Sequence, residues 1–175
     1  MRESSSESRS IEIRRWADSD DVQAVTELLH RAYAQLGELG FRFHATWQDA
    51  ATTLHRLNEG VPFIAKQDER IVGTITLYVP PNVTGCEWYD RGDVACFGQF
   101  GVEPSLQRCG IGSRLLDAIE AEAIAQSVPN LGLDTAEGAT HLIEMYKRRG
   151  FQPVGFADWE ITNYRSIIMN KVLQS

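Results

Sequence analysis

Gln107-Arg108-Cys109-Gly110-Ile111-Gly112-Ser113 separates two sequence patterns of different period. Upstream, Asp93-Val94-Ala95-Cys96-Phe97-Gly98-Gln99-Phe100-Gly101-Val102 has strand character, and its glycines leave room for another chain or a ligand to approach closely. Downstream, Ile111, Leu115, Leu116, Ile119 and Ala123 trace the buried stripe of a long helix that Pro129 brings to an end. The junction is therefore a helix N-terminus, where backbone N–H groups lack intrahelical acceptors and favour an anion. Gly110 and Gly112 would let a diphosphate reach the backbone, and Arg108 would add a charge-assisted contact. A tight helix entrance without a ligand accounts for the same two glycines. The segment is neither a nucleotide phosphate loop nor a three-glycine dinucleotide fingerprint.

Moving outward, Ile11 to Trp16 alternates as an opening strand, and Asp18 to Asp21 supply acceptors for a helix start. Val22, Val25, Leu28, Leu29 and Ala32 give that helix an apolar face, with a stop near Gly37. A second helix is expected over Trp47 to Leu57, with Trp47, Ala50, Leu54 and Leu57 facing inward. Val61–Lys66 and Ile71–Val79 read as a hairpin, its second strand half-buried, stopped by Pro80-Pro81. Asn82 to Gly92 reads as a surface loop and Leu131–Asp134 as a short central strand. A helix carrying Ala139, Leu142, Ile143 and Tyr146 then ends at Gly150, and strands at Phe151–Phe156 and Arg165–Leu173 close the chain. This order predicts an α/β (mixed α+β) fold rather than a bundle or a sandwich. Residues 9–175 are expected to form a single domain behind a polar, disordered tail over residues 1–8.

Lys and Arg number 17 against 24 Asp and Glu, a formal net charge of -7. That balance argues against nonspecific nucleic-acid binding and is compatible with a cationic substrate. No apolar run approaches membrane-spanning length, so no membrane association and a cytoplasmic location are expected. Cys86, Cys96 and Cys109 have no short ligand spacing, so neither a metal site nor a disulfide framework is expected.

Phe100 to Leu116, taken with Met145-Tyr146-Lys147-Arg148-Arg149-Gly150-Phe151 at its distance downstream, resembles the GCN5-related N-acetyltransferase (GNAT) superfamily. The resemblance implies a central mixed, mostly antiparallel sheet flanked by helices, with acetyl-CoA as acyl donor. It places the coenzyme A diphosphate on the backbone of Gln107, Arg108, Cys109, Gly110, Ile111, Gly112 and Ser113. The pantetheine arm would run beside Phe100, Gly101 and Val102, where the fourth and fifth strands of the family splay apart. An amine, of a small molecule or a peptide, would attack the thioester directly. The Val102 N–H would stabilise the oxyanion, and Tyr146, by family position, would protonate the leaving thiolate. Homodimers occur in the family, and pairing at a sheet edge is open to this chain.

Two positions depart from the family pattern. Relatives often carry an acid on the fourth strand near the amine, whereas this chain has Gln99, and an amide is not an ordinary base. Asp93 and Glu87 then stand as candidate bases acting through water, and Ala139 occupies the place of a common asparagine in the second cofactor motif. Tyr33, Phe41, Phe43, His44, Trp47, Trp88 and Tyr89 are candidates for an acceptor pocket, with Glu38, Asp90 and Asp93 on its rim. The competing reading is a noncatalytic coenzyme A sensor or partner-binding domain that keeps the loop without productive acceptor geometry.

Overall fold

The computed structural model describes residues 10–174, so the tail read over residues 1–8 lies outside the described residues. Strands β1 (Ile11–Arg15), β2 (Val61–Gln67), β3 (Arg70–Tyr78), β4 (Val94–Val102), β5 (Asn130–Ala136), β6 (Gln152–Asp158) and β7 (Arg165–Val172) form one sheet in the order β1-β2-β3-β4-β5-β7-β6. Only the β4–β5 pair is parallel, which makes the sheet mixed and mostly antiparallel. Helices α1 (Val22–Glu38) and α2 (Ala50–Asn58) cross from β1 to β2, α3 (Ile111–Ala125) joins β4 to β5, and α4 (Thr140–Arg148) joins β5 to β6.

Each helix follows from local chemistry. Asp21 caps α1 by accepting from the amides of Gln23 and Ala24, and Val25, Leu28 and Leu29 bury against Ile64 and Ile71. On the opposite face, α3 buries Ile111, Leu115, Leu116, Ile119 and Ala123, the whole stripe expected from period. These meet Ile75, Leu77, Phe97, Leu131, Leu133 and Met169 in the main core. Because helices cover both faces, β3 is buried on both, rather than half-buried as its alternation suggested. Thr74 and Thr76, which read as the solvent side, are fully buried.

The second helix also departs from expectation. It begins at Ala50 behind an Asp49 cap and buries Thr53 and Leu57. Trp47 lies ahead of it and is 46% exposed, while Leu54 points outward. The helix is turned because Thr53 is drawn inward, hydrogen-bonding to Thr26 and Gln48.

A bulge in β4 sets up the site. Thr76 pairs with Gly98 and Thr74 with Gly101, so Gln99 and Phe100 oppose Ile75 alone. Gln99 adopts φ 48°, a left-handed conformation costing a non-glycine residue about 1 kcal/mol or more. The extra residue reverses the side-chain parity. Ala95 and Phe97 face α3, but so do Phe100 and Val102, while Gly98, Gln99 and Gly101 face the side of α1 and α2.

Immediately after the bulged strand, Glu103 donates its amide to Val72 O at 2.8 Å and receives Arg31 and Arg70 at 2.9 and 3.1 Å. It ties the exit of β4 to α1 and β3. Glu103→Ala is expected to lower stability by about 1–3 kcal/mol, since it strips two guanidinium groups of a buried carboxylate. Urea denaturation checks this against Glu144→Ala, which removes an exposed pair, and equal midpoints for the two variants would contradict it.

Candidate active site

The entrance to α3 is an open cluster of amides. Arg108 (φ 64°) and Gly110 (φ 82°) are both left-handed, and Gly110 caps the helix without a side chain. The first helical bond from the turn is Arg114 N to Gly110 O. Among the described residues, no acceptor meets the amides from Arg108 to Ser113. Successive unpaired N–H groups in such a turn form an anion-binding concavity. A Cβ on Gly110 would meet nothing within 4 Å, whereas one on Gly112 would lie 3.3 Å from the Phe100 ring. The first glycine serves the backbone conformation and the second lets the helix sit on β4.

Beyond this turn the sheet parts. The parallel ladder runs from Val94–Asn130 to Cys96–Gly132 and stops, while β5 continues along β7 as far as Ala136. From Phe97 onward β4 has β3 on one side and, among the described residues, no strand on the other. Amide direction alternates along a strand, and Glu103 N–H points to β3, so Val102 N–H points into the parted side. Gln107 Nε2 reaches Val102 O there, at 3.3 Å.

A cavity of about 270 Å³ occupies this parting and reaches both faces of the sheet. Phe97, Phe100, Leu142 and Tyr146 line it on the α3–α4 side, and Tyr33, Arg56, Gln99 and Asp134 on the other. Its outer wall couples residues 40–44 to the β6–β7 loop. Asn163 accepts from Arg42 N and donates to Gly40 O, each at 2.8 Å, and Phe43 packs 4.9 Å from Tyr164.

Several ionisable groups of the cavity wall have shifted proton affinities, Asp134 and Tyr146 among them. Asp134 is exposed where it borders the cavity, and its carboxylate is desolvated where it meets Tyr89 and Trp159. Burial raises its pKa above the ordinary 3.8, opposed by hydrogen bonds from Tyr89 Oη at 3.3 Å and Trp159 Nε1 at 3.1 Å and by the charge of Arg56. Tyr146 lies between Phe97 and Phe151, and burial lifts its hydroxyl far above the ordinary tyrosine range. It holds its proton throughout the physiological range and is available as a hydrogen-bond donor. His44, also on the cavity wall, is pushed down by burial and by Arg56.

Of the residues singled out in the sequence, Phe100 and Tyr146 line the cavity, Gln107 reaches Val102 O on the parted side and Gly112 lies against the Phe100 ring, while Gly101 faces α1. Glu87 and Asp93 do not line the cavity. Glu87 is exposed and off the cavity. Asp93 precedes the paired half of β4, is held by Arg91 at 2.9 Å, and stands six residues, roughly 20 Å of strand, from Gln99. Glu38 and Asp90 do not line the cavity either. Tyr33, Phe43 and His44 line it, Phe41 supports Phe43, and Trp47 turns outward against His44. Tyr89 acts beneath the wall through Asp134, and Trp88 donates to Asn170 elsewhere. Asp134 and Arg56 were not singled out. The signal for Asp134 was a carboxylate closing the apolar run Leu131-Gly132-Leu133 on a central strand. Arg56 had no comparable signal, because an arginine on a short helix reads as surface.

A sheet parted beside an amide-lined helix entrance can hold an anionic ligand with an amide-bearing arm. The chain belongs to the acetyltransferase (GNAT) family, whose model matches residues 22–151. The S-(2-succino)cysteine N-acetyltransferase of Bacillus subtilis (strain 168) is 33% identical to it over 152 residues, spanning 82% of this chain and 86% of that protein. Among solved structures, the ribosomal-protein-S18-alanine N-acetyltransferase from Escherichia coli matches with a TM-score of 0.71 at 19% identity, over 95% of this chain and 96% of that one. A GNAT family acetyltransferase from Elizabethkingia anophelis with acetyl-CoA bound matches with a TM-score of 0.67 at 19% identity, over 93% and 98%. At such identities these structures establish the shared fold.

The raised Asp134 has a consequence for stability. With its folded pKa above 3.8, folding gains as pH falls through the folded value, and the ionised carboxylate is a cost at neutral pH. Relative to the parent, Asp134→Asn is therefore expected to gain in melting temperature as pH rises from 3.8 to 7 and to lose that relative gain as pH falls again. Thermal melts across pH check this, and a variant less stable at pH 7 than at pH 4, relative to the parent, would contradict it.

Proposed function

We propose that the protein transfers the acetyl group of acetyl-CoA directly to the primary amine of a small molecule. The observation that carries this reading is the cavity through the parted sheet, which joins the side bearing Tyr146 to the side bearing Asp134. The residues present fit the donor. The open amides of Arg108 to Ser113 suit its diphosphate, and the unpaired side of β4 suits an amide-bearing arm. Bound there, acetyl-CoA supplies an activated thioester carbonyl.

The chain's own groups divide the remaining work. Asp134 attracts the incoming ammonium and, in place of Glu87 or Asp93, takes its proton, so that the amine presents a lone pair. Val102 N–H stabilises the negative charge that develops on the carbonyl oxygen. Tyr146 gives its proton to the departing thiolate and is reprotonated from solvent, while the second proton of the attacking nitrogen passes to solvent as the amide forms. With its pKa raised, Asp134 is a stronger base than a solvated aspartate, though still a modest one, and its protonation sets the acid limb of the pH–rate profile above the ordinary 3.8.

The small cavity favours a small acceptor over a folded protein surface. The activity named for the Bacillus subtilis relative makes S-(2-succino)cysteine a first acceptor to test. Purified protein incubated with acetyl-CoA and a diverse amine panel including that compound is expected to release thiol and N-acetylated product in equal amounts. Coenzyme A binding without transfer to any amine would overturn this reading and favour a sensor domain.

Tyr146→Phe is expected to lower kcat about 100-fold, within the usual range for a lost general acid, while leaving coenzyme A affinity nearly unchanged. Gly112→Val is expected to do the reverse, since its side chain collides with Phe100 and shifts the helix entrance. Calorimetry with coenzyme A and steady-state kinetics separate the two, and equal loss of affinity in both variants would remove Tyr146 from the chemical step.

A further inference from the structure

Arg56 reaches the cavity from α2 and lies over the bulge. Its Nη2 is 3.2 Å from the place a Cβ on residue 98 would take, so the glycine there makes room for it. Among the described residues no carboxylate pairs with this guanidinium, and its Nη1 donates at 2.6 Å to the neutral Gln48 Oε1. Its charge is felt around the cavity, by Tyr33, His44, Tyr78 and Asp134.

That one hydrogen bond orients a buried chain of amides. Arginine can only donate, so Gln48 must present its oxygen to Arg56 and its nitrogen to the other side. Gln48 Nε2 then donates to Thr53 Oγ1 and to Gln99 Oε1, both at 2.7 Å. Gln99, its oxygen thus engaged, is left with an Nε2 that has no partner, although the residue is only 2% exposed and lines the cavity. A buried donor left without an acceptor is destabilising. It stands on a residue already held at φ 48°. The cavity wall therefore holds a cation and, beneath its surface, a neutral N–H donor, neither paired with a protein anion among the described residues, with the Asp134 carboxylate on another part of the wall.

The geometry points to a carboxylate-binding subsite formed by Arg56 and Gln99 Nε2, which selects acceptors that carry a carboxylate as well as the amine, as an α-amino acid does. It rests on the proposed transfer to a small amine and names the substrate class. A carboxylate is acceptor-only and planar, matching a guanidinium and a second donor. One small cavity holds Arg56 and Asp134, so a single zwitterion can satisfy both ends.

The test uses S-(2-succino)cysteine, glutamate and methionine, each paired with the analogue in which every carboxylate is a carboxamide. Binding to the coenzyme A-saturated protein is measured by calorimetry, and acetyl transfer is measured on the same samples. At least one acid is expected to bind about 30-fold or more tightly than its amide, the size of one hydrogen bond to a charged group. Arg56→Met is expected to bring that ratio within about 3-fold of unity, and Gln99→Leu to reduce it, both with coenzyme A affinity retained as the sign of an intact fold. Equal binding of acids and amides, a preference that survives in both variants, or no acid bound at all would overturn the subsite. Preferential binding without transfer would leave it standing and overturn the proposed function, whereas transfer to acids and amides alike would overturn the subsite alone.

Discussion

The extra residue in β4 is the constraint on which the site depends. Two residues of β4 against one of β3 bend the strand and reverse its parity. Phe100 then joins Phe97 against α3 and α4, and Gln99 turns toward α1 and α2. A regular strand would put Phe97 and Gln99 on the same face. From Phe97 onward β4 also runs without β5 beside it, and the amides that a regular parallel ladder would consume are left for a ligand. The left-handed backbone at Gln99 is a local cost that this arrangement retains.

The parting places unlike environments within one small space. On the α3–α4 side the walls are aromatic and aliphatic, and burial there keeps the Tyr146 hydroxyl protonated. On the other side are Arg56, Gln99 and Asp134, oriented by hydrogen-bond partners: Gln48 for the first two, Tyr89 and Trp159 for the third. This layer of supporting hydrogen bonds comes from the turn ahead of α2, the loop before β4 and the β6–β7 loop. A donor thioester and an acceptor amine entering from opposite faces would meet in the gap between those environments.

Much of this was legible in the sequence, and the limits have physical reasons. The stripe on α3 and its glycine entrance are local patterns, and the structure returns all five stripe residues buried. The hairpin of β2 and β3 is local too, yet its burial is not. Thr74 and Thr76 look solvent-facing until α1 and α2 are packed over them. Trp47 and Leu54 fit a helical stripe and are exposed, because Thr53 and Gln48 take the inward positions through hydrogen bonds no period reveals. The bulge escapes a reading based on strict alternation, although Gly98 and Gly101 on either side mark where the backbone is free to depart from it. Asp134 was hidden because its meaning depends on Tyr89 and Trp159, 45 and 25 residues away. Glu87 and Asp93 were nearer in sequence and are farther in space.

A crystal structure with coenzyme A bound tests the central claim most directly. The account predicts the diphosphate on the amides of Arg108 to Ser113, the pantetheine arm along the unpaired side of β4 between Phe97 and Val102, and the thiol inside the cavity near Tyr146. A coenzyme A that leaves this side of β4 empty, or a β4–β5 ladder that closes beyond Cys96 when the ligand binds, would contradict it.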